Sequence, residues 1–145
     1  MIIQRVNRTN PEKVFIVVRN DDSVAFVKGG AINFKFDGTR DGLDAELADT
    51  IADNPLISGI ADSAVPAGEY GLVQIYGVRT DAVIWRTNTA VVVGDPLVVT
   101  QGSAALMRIG AGAASAYLPA FAAGEALAST GTAKTDTTTV LIRCM

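Results

Sequence analysis

The stretch Val65–Val99, VPAGEYGLVQIYGVRTDAVIWRTNTAVVVGDPLVV, decides the fold. It holds three apolar, β-branched or aromatic runs, Gly71–Tyr76, Ala82–Arg86 and Ala90–Val93, separated by residues 77–81 and 87–89. A fourth run, Leu97–Thr100, follows Gly94-Asp95-Pro96. Runs of this kind suit a pleated, half-buried surface, and separators rich in glycine, proline and small polar residues suit turns. Loops this short join antiparallel neighbours, because a parallel crossover needs a dozen residues or more. The expected fold is therefore all-β, a small antiparallel β-barrel. Alternation then sorts the side chains. Val73 and Ile75 form one apolar face of their run, and Leu72, Gln74 and Tyr76 a mixed face able to meet solvent or a partner. In the next run Val83, Trp85 and Thr87 oppose Ile84, Arg86 and Asn88.

Upstream, Leu56–Ile60 reads as a short strand, and Leu43–Asp53 is the one stretch with helical spacing. Leu43, Leu47 and Ile51 fall four apart among alanines, with Asp44, Glu46, Asp49 and Asp53 as a solvated face; an extended loop is the alternative. Residues 37–44, DGTRDGLD, place Asp37, Thr39, Asp41 and Gly42 where an EF-hand loop has its first, third, fifth and sixth positions. The twelfth, which needs a bidentate carboxylate, is Ala48, so the stretch reads as a surface turn. Ile32, Phe34 and Phe36 alternate with Asn33 and Lys35 as a half-buried strand, and Val24–Val27 is a further short run. Val14–Val18 is apolar on both faces, which predicts a central, doubly covered strand. Before Pro11, residues 1–10 form a terminal arm, laid as an edge strand or on a neighbour.

Downstream, Ala105–Ile109 is another short run, and residues 111–128 are so rich in alanine and glycine that helix and strand stay open. Residues 131–138 are polar and threonine-rich, and Thr139–Met145, TVLIRCM, predicts a closing strand with Val140, Ile142 and Cys144 on one face.

The 145 residues suit one domain, residues 11–145, after the arm. A net charge of −3 with singly scattered Lys and Arg offers no footprint for nucleic acid. No apolar run approaches the ~20 residues of a membrane span. The start lacks the apolar core of a signal peptide, which points to synthesis in a cytoplasm. The chain contains no histidine and one cysteine, Cys144, which fits a small buried side chain. Without histidine the commonest general base and metal ligand are missing. There is no phosphate loop, no CxxC pair and no cofactor signature, so the expectation is a non-enzymatic protein with no catalytic, cofactor or metal residue.

The early VFIVVRN, the Gly-Gly turn, the FKFDGTRDG loop, PAGEYGLVQIYG, VGDPLVV and the terminal TVLIRCM together resemble a family of small tailed-phage capsid decoration (cement) proteins. The resemblance implies a β-barrel of the tulip or β-clip kind, bound to the major capsid protein on the outer capsid surface of the virion as a homo-oligomer, a trimer, that stabilises the shell. It implies an interface on the arm, Met1, Ile2, Ile3, Gln4, Arg5, Val6 and Arg8, and Tyr70–Tyr76 and Ala82–Arg86 as barrel strands. Two other readings stay open: a different virion part, from the head-tail junction or a fibre, and a host-glycan-binding β-module using Trp85, Tyr70, Tyr76 and Tyr117 as stacking rings.

Overall fold

A computed structural model describes residues 12–37, 39–49, 57–86, 90–100, 103–108, 120–124 and 134–144. Among them there are nine strands and no helix: β1 Lys13–Asn20, β2 Ala31–Phe34, β3 Asp44–Leu47, β4 Ile57–Ala61, β5 Tyr70–Arg86, β6 Pro96–Thr100, β7 Ser103–Arg108, β8 Ala120–Ala122 and β9 Lys134–Arg143. The all-β expectation is met. The strands lie in the order β1-β3-β2-β4-β5-β7-β6-β8-β9, and both ends return to the middle through the pairings β1–β5 and β5–β9. The sheet thus closes partly into a ring on either side of β5. It is mixed rather than purely antiparallel, since β1 with β3 and β5 with β7 run parallel.

The 17 residues of β5 make both closures possible. Its first part pairs with β1, Tyr70 to Gly77 against Arg19 to Lys13, and its second with β9, Tyr76 to Arg86 against Arg143 to Lys134. The expected turn at residues 77–81 is absent. The strand bends there instead, through register shifts beside Val14/Phe15 and Arg79/Ala82. Bulges of this kind bend a strand without ending it. Two core clusters result, and the larger takes Ala31, Ile57 and Ile60 from β2 and β4 as well as residues of the strands beyond β5. One gathers Val18, Phe26, Ile32, Ala45, Ala61, Val65 and Val73. The other is larger and aliphatic, and includes Ile57, Ile60, Ile84, Val91, Leu97, Val99, Leu106, Val140 and Ile142.

Three copies of one backbone device fasten the loops. Val27–Gly30, Pro66–Glu69 and Val92–Asp95 are turns in which the fourth N–H donates to the first carbonyl, at 3.0, 3.2 and 3.1 Å. The third residue is Gly29, Gly68 or Gly94, with φ of 78°, 81° and 91°. That is the type II pattern, whose third position favours glycine. Each turn grips the last residue of a strand by both its backbone groups. Gly29 and Gly30 hold Ala61, Gly68 and Glu69 hold Asn20, and Gly94 and Asp95 hold Ala122, all at 2.7–2.9 Å. Phe26 and Val65, the residues just before the first two turns, bond to each other by two backbone hydrogen bonds of 2.9 and 3.2 Å.

Several local expectations are corrected. Residues 44–47 of the predicted helix form β3, because pairing with β2 and β1 outweighs the helical spacing; residues 50–53 lie outside the described residues. Ala90–Val93 is not a strand but the entry to the third turn, and Val24–Val27 supplies only the Phe26 bridge. The closing strand starts at Lys134, within the threonine-rich stretch, since β5 provides a long partner for it. In the alanine-rich stretch β8 is a strand, and residues 111–119 and 125–128 lie outside the described residues. Val14–Val18 is not doubly covered, since Phe15 and Val17 are exposed.

Candidate interaction surface

β1 carries two unlike faces. Val18, opposite Gly71, and Ile16, opposite Val73, point into the smaller core. Phe15 and Val17 point the other way, and Val17 is 55% exposed. Cross-strand partners share a face, so Val17 lies with Leu72, and Arg19 with Tyr70. Leu72 is exposed and Tyr70 is 58% exposed, so two adjacent strands present a patch of Phe15, Val17, Leu72 and Tyr70. Large apolar side chains clustered on one surface mark interaction sites more than scattered ones do. Gln74, the next residue on that face of β5, is fully buried, and its Nε2 donates to the carbonyls of Tyr76 and Val78. The register shift then reverses the alternation. Tyr76, opposite Val14 and Arg143, falls on the other side of the sheet.

Among the described residues the backbone beside this patch is open. Arg19 and Asp21 donate their N–H groups to Leu43 and Ala45, on the β3 side, while Asn20 donates to Glu69, on the β5 side. Strand donors alternate with a period of two. The N–H groups of Val17 and Phe15 therefore face away from β5, and β3 pairs only with Arg19 and Asn20. Among the described residues no strand lies against Lys13 to Val18 on that side. Proteins usually protect such an edge with charge, proline or cover. Here, among the described residues, the charges at that end of the edge are Glu12 and Lys13.

Charge around the patch is mostly satisfied internally. Arg19 bonds Asp21 at 2.6 Å, and Lys35 reaches the other oxygen of Asp21 at 2.7 Å. These hydrogen bonds, from Lys35 first and then Arg19, hold the Asp21 carboxyl below its ordinary pKa, and Asp21 in turn raises both cations. At the bend of β5, Arg79 is 4% exposed and is held by Asp62 at 2.6 Å, by the Asp62 carbonyl at 3.2 Å and by Asp81. Burial pushes the Asp81 carboxyl up, but Lys28 and Arg79 outweigh it and leave the carboxyl below its ordinary value. Lys28, Arg40, Arg86 and Arg108 also have carboxylate partners. Lys13 and Arg143 have none among the described residues, and both are exposed. Lys13 alternates with Val14, on the side of Phe15 and the patch.

The residues singled out from sequence fall differently. Met1, Ile2, Ile3, Gln4, Arg5, Val6 and Arg8 lie outside the described residues, as does Tyr117. Asp37 accepts the Thr39 N–H at 3.0 Å and lies 3.5 Å from Lys35, and its pKa is lowered by Thr39 first. Ala48, at the twelfth calcium-loop position, is fully buried. Trp85 is half-buried on β5. Burial pushes the Cys144 thiol up to about 12, so at neutral pH it stays protonated and is a poor nucleophile. Phe15 and Val17 were missed as surface residues, although the doubly apolar KVFIVV was their signal.

Compared with known proteins, the chain matches no family and no curated sequence.

Proposed function

We propose that this chain is a non-enzymatic structural protein of a tailed-phage virion, which binds the major capsid protein on the outside of the shell as a symmetric oligomer, a trimer, and stabilises it. The observation that carries the proposal is the patch of Phe15, Val17, Leu72 and Tyr70 beside an open strand edge. A rigid apolar face rimmed by charge is the kind of surface that large protein partners bind. The sequence resemblance names the partner. A small protein repeated over a lattice gains avidity from many modest contacts, so one patch of this size per subunit is enough. Shell stability rises because each bound oligomer bridges neighbouring capsomers.

Sedimentation of the purified protein with expanded shells that lack it tests this. Binding that saturates at a fixed, lattice-related number of copies supports decoration. Absence of binding to shells, with binding to glycan arrays or to tail components instead, overturns it.

A further inference from the structure

We infer that the open edge of β1 is a strand-acceptor site: an extended, apolar segment of the shell protein, with a carboxylate where it passes Lys13, adds to β1 as a further strand. The inference rests on the capsid-binding proposal above and identifies the chemistry of the contact. Three observations combine. The N–H groups of Phe15 and Val17 point to an edge where no described residue accepts them. Only an extended backbone satisfies donors and acceptors at this spacing, which is how peptide segments add to sheet edges. The side chains of the same two residues are exposed on the patch, so alternate apolar side chains of an added strand find a surface to cover. Lys13 stands at the end of that edge, exposed and without a carboxylate among the described residues.

Charge selects a foreign strand over a copy of this chain. β1, KVFIVVRN, brings no acid of its own to Lys13: with Phe15 of one copy across from Val17 of another, Lys13 meets Arg19, whose charge Asp21 and Asp44 offset only within its own subunit, and Glu12 falls at Asn20 rather than at Lys13. Residues 1–11 hold Arg5 and Arg8 and no acid. Like charges across a strand pair are unfavourable. An acidic, apolar segment complements the edge in backbone, shape and charge, and such complementarity fixes partner and register.

Val17→Pro separates this contact from the fold. It removes an N–H that the sheet does not use, whereas Ile16→Pro removes one that faces β5. Proline is tolerated on the outer side of an edge strand. The expected result is a Val17→Pro protein that melts close to the wild type and binds expanded shells about tenfold or more weakly, a loss of the size one interface hydrogen bond and its fit supply. Lys13→Glu is expected to weaken binding less, with the difference vanishing between about 50 and about 500 mM salt. If Val17→Pro does not fold, Val17→Glu, which keeps the N–H and puts an acid on the patch, is expected to lose binding while folding normally. Wild-type binding to shells with unchanged binding by the folded variant overturns strand addition and leaves the capsid proposal standing. Dissociation of the homo-oligomer by Val17→Pro, with shell binding kept, overturns it too and makes the edge a contact between copies. Failure of the wild type to bind shells defeats the capsid proposal itself.

Discussion

The two halves that share β5 are held in different ways. The second has most of the larger aliphatic core, to which β2 and β4 also contribute, and the longest pairing, β5 against the ten residues of β9. The first has a smaller core, and compensates with polar braces: Asn20 Nδ2 donating to the Val24 and Val65 carbonyls at 2.9 Å, the Arg19–Asp21–Lys35 cluster, and Arg79 between Asp62 and Asp81. Polar braces are directional, whereas apolar burial is not. The smaller half can therefore leave Phe15, Val17, Leu72 and Tyr70 exposed among the described residues and still fix where they point. The apolar half supplies stability, and the polar half holds a surface ready for a partner.

The largest effect that sharpens this contrast is expected in the apolar half. Ile84 is fully buried in the centre of the larger core. Ile84→Ala is expected to cost ~2–5 kcal/mol, the range for deleting a buried aliphatic side chain. Thermal unfolding followed by far-ultraviolet circular dichroism and by Trp85 fluorescence checks it. The two signals are expected to move together, because both halves share β5; separate transitions would mean that the halves fold independently.

The next effect compares two turns of the same type. A Cβ at Gly29 would lie 2.1 Å from the Asp81 carbonyl oxygen, whereas one at Gly68 meets nothing within 4 Å. Gly68→Ala is expected to cost ~1 kcal/mol for the left-handed backbone alone. Gly29→Ala adds a collision with the bend of β5, and roughly 3 kcal/mol is expected from strain of that kind. Denaturant titration of the pair decides whether the bend is rigid; equal costs would show that residue 81 yields freely.

The smallest effect is electrostatic. Asp21, Asp37 and Asp81 titrate below their ordinary values in the folded chain. A carboxyl whose folded pKa is depressed contributes fully above its unfolded pKa of about 3.9 and loses that contribution as pH falls through the folded value. Melting temperature is therefore expected to hold steady from neutral pH to about pH 5 and to fall in more acid solution. Asp21→Asn should flatten part of that fall, and an unchanged slope would remove the Lys35–Asp21–Arg19 cluster from the account.

The same contrast explains what was legible in the sequence. Period-two alternation located β2 and the end of β9, and short apolar runs between turn residues located β4 and β6, whose side chains are buried on both faces. It misjudged β1 because apolar residues on both faces of a strand mean either cover by the same chain or cover by another, and composition is the same in both cases. Residues 44–47 were read as helix because four-residue spacing is local, while the β2 pairing that overrides it is supplied from a distance. Residues 77–81 were read as a turn because Gly77, Thr80 and Asp81 are turn formers, yet here they make a bent strand. The motif FVKGG, VPAGE, VVVGD marks the three gripping turns in the sequence, but which strand end each one holds depends on the folded sheet. The arm expected to bind a neighbour lies outside the described residues.

Residue-resolved hydrogen exchange along β1, in the free protein and in the protein bound to shells, decides whether this edge takes a strand. In the free protein the Phe15 and Val17 amides are expected to exchange fast and those of Ile16 and Val18, which face β5, slowly, and shell binding is expected to slow Phe15 and Val17 selectively. Equal protection of all four amides in the free protein, or no change at Phe15 and Val17 on binding, would contradict it.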